Sequence, residues 1–356
     1  MIRKRNLSLV HPYLENRYKD IELGLYPRQH LWGLEEIEKD NSWNGRVVEI
    51  QKMKFPYLLE KSLNRLLFRQ SPGVKAEIAA WRSAKSSDLI YSVCGPLALS
   101  RFYQKTKLVS WVFRKPHAPT NRFFHPYSSK NLNSHAAFFC LTPSAEKAFS
   151  KHAPSRFLPW CVDLDLFDGK PAAHPPERPF FLASGKTERD YDTLAKAARK
   201  VDAEVRVIGP VSARPNNLPP NVNWTNTSSD PPDQAIDYST LREWYAQSTA
   251  VCIPLNGDTE DTSGYTNLLE AMAMAKPVIM TRSGCLHIDP ESRGFGLLVS
   301  PNSHEGWAHK MNEMLLHSER TKNLGAAGRK IAEKEFSIQR FNHDVIVFLR
   351  EILGRE

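Results

Sequence analysis

The stretch at residues 250–281, AVCIPLNGDTEDTSGYTNLLEAMAMAKPVIMT, limits the fold more than any other part of the chain. Its first segment, 251–255, is a short apolar run of the kind that forms a buried parallel strand. A polar, acidic loop follows, and residues 265–275 are then mostly strong helix formers. A Lys-Pro pair ends that helix, and another apolar run begins a second strand. The stretch therefore predicts a β-loop-α-β unit of a parallel sheet.

The predicted helix carries one charged residue, Glu270, among leucines, alanines and methionines. A helix that is apolar on nearly every side is buried, and a buried carboxylate needs hydrogen-bond partners. Gly264 precedes the helix, where bare N–H groups and the positive end of the helix dipole favour an anion such as phosphate. A sugar nucleotide offers a phosphate for the helix start and a polyol for Glu270. A core helix whose glutamate pairs with a structural arginine is the alternative.

These residues resemble the donor-binding motif of GT-B glycosyltransferases, in particular the large retaining family 4. That family often reads Glu-Gly-Phe-Gly and, after a short spacer, Glu-Ala-Met-Ala and Lys-Pro-Val. Glu270 matches the second glutamate, which in the family binds the ribose, whereas the first glutamate falls on Thr262. The resemblance implies that the donor contacts Gly264, Tyr265, Thr266, Asn267 and Glu270.

A second motif, SGKTERDYDTLAKAARK, follows a predicted strand at 180–183. It resembles the family's phosphate-contacting element, in which a glycine and a base follow a strand and another base precedes a helix. Gly185 and Lys186 match the first pair, and Arg189 matches the second base. Cations here would neutralise the departing nucleotide diphosphate. An ordinary exposed loop is the alternative, because bases after strands are common.

Strands alternate with helices along the chain, which predicts an α/β fold with parallel sheets. Residues 156–167, RFLPWCVDLDLF, resemble the family's junction between domains. The resemblance implies a GT-B fold of two doubly wound, Rossmann-like domains facing a cleft. Residues 1–164 would form an N-terminal acceptor-binding domain, on which a C-terminal helix at 338–356 packs back, and 165–337 a C-terminal domain that binds the nucleotide-sugar donor.

Two further local predictions concern this first half. Asp163 and Asp165 spell the D-x-D metal motif of the GT-A fold, but the junction explains both as turn and cap residues. Gly95, followed by proline, is predicted to open a helix.

The net charge of +9 is unevenly distributed. Residues 1–165 hold 26 Lys and Arg against 14 Asp and Glu, and 89–145 contain no acidic residue. We therefore expect the first domain to meet an anionic partner: a lipid-carrier phosphate, a membrane surface or an acidic glycan. A solvated basic surface is the alternative. No helix-turn-helix or stacking motif indicates nucleic acid, so we predict no nucleic-acid partner.

The most specific form of that expectation concerns residues 111–130, WVFRKPHAPTNRFFHPYSSK. Bases alternate with aromatic residues there, a combination that suits a membrane interface or an anionic acceptor. The chain has no apolar run long enough for a transmembrane helix. Its five scattered cysteines fit buried thiols in a reducing compartment. We expect a cytoplasmic protein, peripheral at the inner membrane face.

The resemblance implies a retaining, metal-independent hexosyltransferase that uses a nucleoside diphosphate sugar as co-substrate and needs no cofactor. The acceptor would be a glycan or a lipid-linked molecule in bacterial-type polysaccharide or glycolipid synthesis. Lys186 and Arg189 would act on the leaving group. Many relatives carry a catalytic-site histidine after the fourth strand, where this chain has Phe113, and His117 is the substitute. The alternative is a catalytically inactive GT-B-like protein that binds an anionic glycan or membrane surface, which would explain Thr262 and Phe113.

Overall fold

The computed structural model describes residues 4–12, 14–68, 71–93, 95–103, 105–116, 125–227, 236–257, 262–282 and 287–354. The chain divides into two compact units. The first unit comprises Met1–Ile21, Arg28–Trp160 and Ile338–Glu356, and the second unit comprises Glu22–Pro27 and Cys161–Ser337.

The first unit is an α/β domain. Its elements are β1 (Arg5–Val10), α1 (Tyr18–Glu22), α2 (Leu34–Lys39), β2 (Trp43–Val47), α3 (Tyr57–Leu66), α4 (Val74–Ala84), β3 (Leu89–Ser92), β4 (Lys107–Val112), α5 (Ser129–Leu132), β5 (Ala137–Cys140), α6 (Pro143–Phe149) and β6 (Ser155–Phe157). Over the described residues the strands form one six-stranded sheet, with the order β2-β1-β3-β4-β5-β6 and every pairing parallel. Strands β3 and β5 are buried along their whole length, as expected for a parallel sheet covered on both faces.

The helix predicted to open at Gly95 does not form. The described residues of that segment contain only a 3-10 turn, Ser100–Phe102. The backbone N–H groups of Ala98 and Leu99 donate instead to the carboxylate of Glu77, at 2.7 and 3.0 Å. Because this buried carboxylate takes both donors, the loop is held in a non-helical conformation. Burial raises the pKa of Glu77 to about 7.

The second unit is also an α/β domain. Its elements are β7 (Phe180–Ser184), α7 (Tyr191–Ala198), β8 (Glu204–Pro210), β9 (Val222–Thr227), α8 (Tyr238–Gln247), β10 (Ala250–Ile253), α9 (Tyr265–Ala273), β11 (Val278–Thr281), β12 (Gly296–Val299), α10 (His304–Leu316) and α11 (Ser318–Glu335). Its described strands form a six-stranded parallel sheet with the order β12-β11-β10-β7-β8-β9. The chain leaves β7 toward one side of the sheet and β10 toward the other. The topological switch point therefore lies between β7 and β10.

The last helix, α12 (Ile338–Gly354), belongs to the first unit. Its carbonyl groups near the end accept hydrogen bonds from side chains at the amino ends of two strands. Arg5 Nη1 donates to the carbonyl of Leu353 at 3.3 Å, and Lys107 Nζ donates to that of Ile352 at 2.8 Å. These cations lie where the negative end of the helix dipole favours them. No helix among the described residues is long and apolar enough to cross a membrane.

A cluster of aromatic rings fills part of the first unit's core. Trp32 stacks on Trp160, with ring centroids 4.9 Å apart and an interplanar angle of 11°. Trp111 and Phe113 lie 5.1 and 5.9 Å from Trp32, and Phe341 of α12 lies 5.4 Å from Trp111. Trp111 was predicted to face an anionic surface, and that prediction is wrong for this ring, because its side chain is wholly buried in β4.

Candidate functional site

The candidate site lies at the carboxyl edge of the second sheet, where β7 and β10 end side by side. Open α/β sheets bind ligands at this edge, beside the switch point. Strand β7 continues into the glycine and bases of residues 185–189, and β10 leads to the start of α9. Two motifs that lie far apart in the sequence are thus brought together.

Gly264 allows α9 to start close against β10. Its φ is 88°, in the left-handed region that favours glycine. A Cβ atom at this position would lie 2.6 Å from Cγ2 of Ile253, closer than packed carbon atoms approach. The side-chain oxygen of Ser263, one residue earlier, is buried and has no hydrogen-bond partner among the described residues. The first turn of α9 also leaves backbone N–H groups without intrahelical acceptors, so this corner can receive an anion.

Arg189 lies across the backbone at the end of β7. Its guanidinium donates to the carbonyls of Ser184 and Thr187, at 3.3 and 2.7 Å. A third N–H group donates to Oδ1 of Asn267 in the first turn of α9, at 2.7 Å. Gly185 has a φ of 133°, and a side chain there would overlap the guanidinium. The glycine and the base of this motif therefore belong to one local structure.

The contact at Asn267 extends into a chain of hydrogen bonds that ends at the buried Glu270. Asn267 Nδ2 donates to Oγ of Ser184 at 2.7 Å and more weakly to Oη of Tyr245 at 3.5 Å. The hydroxyl of Tyr245 donates to Oε2 of Glu270 at 2.8 Å. Arg189 and Glu270, which the sequence places in separate motifs, are therefore ends of one network. We call this set, from Arg189 through Ser184, Asn267 and Tyr245 to Glu270, the donor network.

Glu270 is buried, with 3% of its surface exposed, and this burial raises its pKa to about 7. Among the described residues its one hydrogen-bond partner is Tyr245 and not the arginine of the alternative interpretation. Burial, and then the nearby carboxylate, raise the pKa of Tyr245 well above its ordinary value, so the tyrosine remains a donor. The second oxygen of Glu270 makes no hydrogen bond within the described residues. It can accept one from a ligand hydroxyl.

The other predicted site residues differ in exposure. Lys186, next to Gly185 in the chain, is largely exposed, and the partial desolvation of its amine lowers its pKa. Thr266 is half-buried, whereas Tyr265 is buried with its ring 5.7 Å from that of His287. His117, the predicted catalytic histidine, lies outside the described residues.

Sequence reasoning missed two members of the donor network, Tyr245 and Ser184. Ser184 directly precedes Gly185, so the phosphate-contacting motif could have included it. Tyr245 lies on α8 in the unremarkable segment LREWYAQS, and no motif marks it. Helix α8 precedes β10 in the chain and α9 follows it. Only the folded structure shows that Tyr245 of α8 contacts Glu270 of α9.

The first unit contains a buried histidine, His11, directly after β1, and a half-buried one, His30. Burial lowers the pKa of His11 to about 4. Burial, with the charges of His11 and Arg17, lowers the pKa of His30 to about 3. Both imidazoles are therefore neutral near pH 7.

The side chain of Asp163, at the junction, accepts hydrogen bonds from the backbone. Oδ1 of Asp163 accepts from the N–H groups of Asp165 and Leu166, at 3.1 and 3.2 Å. These hydrogen bonds are those of an Asp-stabilised turn, as predicted for the junction, and not those of a D-x-D metal site. Within the described ranges, no group of three or more His, Cys, Asp or Glu side chains is arranged to hold a metal ion.

Comparisons with known proteins agree with this architecture. Residues 178–317, which contain the whole donor network, match a family model described as Glycosyl transferases group 1. A search of curated proteins finds no match to the sequence.

Solved structures resemble the chain over nearly its full length. Sucrose-phosphate synthase from Thermosynechococcus elongatus is 17% identical, with a TM-score of 0.69 over 99% of this chain and 100% of that one. HepE from Anabaena in complex with UDP-glucose is 14% identical, with a TM-score of 0.62 over 98% and 100%. WaaG, a glycosyltransferase involved in lipopolysaccharide biosynthesis, is 13% identical, with a TM-score of 0.61 over 96% and 99%. At these identities the likeness establishes the fold, and the predicted GT-B fold is confirmed.

Proposed function

We propose that this protein is a glycosyltransferase that moves a sugar from a nucleoside diphosphate sugar to an acceptor hydroxyl. The observation that carries the proposal is the donor network at the switch point of the second unit. Glu270 would accept hydrogen bonds from ribose hydroxyls, and the start of α9 at Gly264 would receive the diphosphate. HepE has been solved with UDP-glucose, which makes uridine the first nucleotide to test.

The charges of the site suit the departure of a nucleoside diphosphate. Lys186 and Arg189 would offset the negative charge that develops on the leaving phosphate. In a retaining reaction that phosphate itself accepts the proton of the acceptor hydroxyl. No side chain is then needed as the general base. We propose that transfer needs neither a metal ion nor a cofactor.

The acceptor is assigned to the first unit, because the excess of positive charge lies in residues 1–165. A glycan or a lipid-linked acceptor with anionic groups fits that charge. WaaG, of the same fold, is involved in lipopolysaccharide biosynthesis, which supports a role in polysaccharide or glycolipid synthesis at the cytoplasmic face of a membrane. A catalytically inactive binding protein of this fold is the second candidate. It is favoured by Thr262 and Phe113, which stand where relatives carry a glutamate and a histidine.

A screen of sugar nucleotides separates these candidates. A donor that binds only the folded protein at about 100 times its Kd stabilises it by about 2.7 kcal/mol, which a thermal-shift assay detects. We then expect release of the nucleoside diphosphate from that donor, at the same rate with and without EDTA. Binding without turnover would favour the inactive protein. Activity that EDTA abolishes and manganese restores would contradict the proposed mechanism.

Donor binding is expected to depend on pH through Glu270. Its pKa in the folded protein is about 7, above its ordinary value, so raising the pH through 7 ionises it. In the free protein this ionisation lowers stability, because the charged form is buried. A bound ribose donates to the ionised form, so affinity for a sugar nucleotide should rise roughly tenfold between about pH 6 and about pH 8.

Calorimetric titration with a sugar nucleotide measures this dependence, because the donor's own diphosphate does not titrate in that range. The Glu270→Gln variant is the control, and its affinity should be the same at both pH values. An equal pH dependence in wild type and variant would assign the effect to another group.

A further inference from the structure

The first unit contains a cavity of about 690 Å³ at the amino edge of its sheet. Its lining includes Arg5, Asp88 and Lys107, which lie at or just before the first residues of β1, β3 and β4. The strands are parallel and all end at the opposite edge, roughly 17 Å away along β1 at about 3.3 Å per residue. Open α/β sheets bind their ligands at that other edge, so this cavity is a separate one. Its volume lies within the roughly 300–1,000 Å³ of sites for small organic molecules.

Two aromatic side chains of the lining are partly exposed. Trp81 of α4 is exposed by 37%, and Phe102 of the 3-10 turn by 44%. Nζ of Lys85 lies 4.8 Å from the centroid of the Trp81 ring. Cζ of Arg101 lies 4.8 Å from that of Phe102. These cation–π contacts restrain both rings, and the negative face of an aromatic ring attracts the C–H groups of a sugar ring.

The described lining of the cavity carries four basic side chains and one carboxylate. Arg5 and Lys107 donate to carbonyl groups at the end of α12. Lys85 and Lys105 are exposed, and within the described ranges neither of them forms an ion pair. The carboxylate, Asp88, offsets only part of this charge. The cavity therefore has an excess of positive charge that an anionic ligand would neutralise.

The negative groups of the lining distinguish between kinds of anion. Oδ2 of Asp88 accepts from the N–H of Asn6 at 2.7 Å, and Oδ1 makes no hydrogen bond within the described part of the chain. This oxygen can accept from a ligand hydroxyl, but it repels a phosphate. Ala84 and Leu353 place the carboxyl ends of α4 and α12 at the cavity, where helix dipoles are negative. A ligand with hydroxyl groups between spaced carboxylates suits this lining better than a dense polyphosphate.

We propose that this cavity binds an acidic oligosaccharide, a sugar chain that carries carboxylates. Its sugar rings pack on Trp81 and Phe102. Its carboxylates pair with Lys85 and Lys105, and one of its hydroxyls donates to Asp88. The proposal goes beyond sugar transfer and does not depend on it, because the cavity lies at the other edge of the sheet from the one where α/β folds bind their reacting ligands.

Calorimetric titration of the full-length protein with hexagalacturonate tests the proposal. Wild type should bind it, with an affinity that falls as salt is added, and should bind neutral maltohexaose at least about tenfold more weakly. The Lys85→Glu, Lys105→Glu variant should lose at least about tenfold in affinity for hexagalacturonate, because it removes two charge-assisted contacts. Trp81→Ala should lose about tenfold as well. Polyphosphate has charge but no sugar ring, so it should bind more weakly than hexagalacturonate and equally well to wild type and Trp81→Ala.

Matched controls lie elsewhere on the first unit. Lys147→Glu with Lys151→Glu reverses two exposed charges, and Tyr57→Ala removes an aromatic side chain that is 71% exposed. Both controls should bind hexagalacturonate like wild type. Thermal unfolding checks each fold, and the exposed lysines keep the test decisive if Trp81→Ala does not fold. The proposal fails if wild type does not bind hexagalacturonate, if the controls lose as much affinity as the cavity variants, or if polyphosphate binds as tightly as the sugar acid.

Discussion

Replacing Lys186 with alanine should slow sugar transfer by roughly 10²–10³-fold while the melting temperature stays within about 2 °C of wild type. The side chain is exposed, so the folded structure does not depend on its packing. Lys186 directly follows Gly185 at the end of β7, beside the proposed diphosphate site. Loss of a cation that acts mainly in the transition state lowers kcat more than it raises KM.

Single-turnover rates with saturating donor measure this effect without product release. Lys196→Ala is the matched control, because Lys196 is an exposed lysine of α7 in the same unit. Its transfer rate should equal that of wild type. A Lys186→Ala protein with a full transfer rate would remove this lysine from the mechanism.

Replacing Glu270 with alanine should weaken donor binding about ten- to hundredfold, because a hydrogen bond to a charged group contributes about 1.5–3 kcal/mol. Stability should also fall, since the buried hydroxyl of Tyr245 loses its acceptor at a cost of about 1–3 kcal/mol. Glu270→Gln separates these effects. Its amide oxygen can still accept from Tyr245, so it should keep most of the stability while donor binding remains weakened.

Tyr245→Phe tests the same bond from its other end. It removes the hydroxyl but leaves the carboxylate, so it should affect stability more than donor affinity. Calorimetric titration and thermal unfolding of the Glu270 and Tyr245 variants give both quantities. If Glu270→Ala and Glu270→Gln melt far lower and bind donor as well as wild type, Glu270 is a structural residue.

The second unit was more predictable from sequence than the first. The strand, loop and helix around Glu270 follow from apolar periodicity and from the stop at Lys276, which are local signals. The prediction of a phosphate corner at Gly264 is equally local. The partner of Glu270 could not be predicted, because Tyr245 lies on another helix and no spacing rule relates the two residues.

The misses in the first unit also have long-range causes. A glycine-proline pair predicts a helix at Gly95, yet Glu77 on α4 captures the N–H groups that the helix would need. Trp111 looks like an interfacial residue by composition, yet β4 runs between β3 and β5 in the sheet.

The donor network is closed by hydrogen bonds between the protein's own side chains, and this affects what donor binding costs. Asn267 and Tyr245 already hold Arg189 and Glu270 in defined positions, so few side chains remain to be ordered by the donor. Immobilising a long side chain costs about 0.5–1.5 kcal/mol of entropy. Hydrogen bonds within the folded protein hold Arg189, so donor binding does not add this term for it. More of the attraction between this cation and the diphosphate is then retained as affinity or as lowering of the barrier. In this unit, folding orders the side chains that an induced-fit mechanism would order only on donor binding.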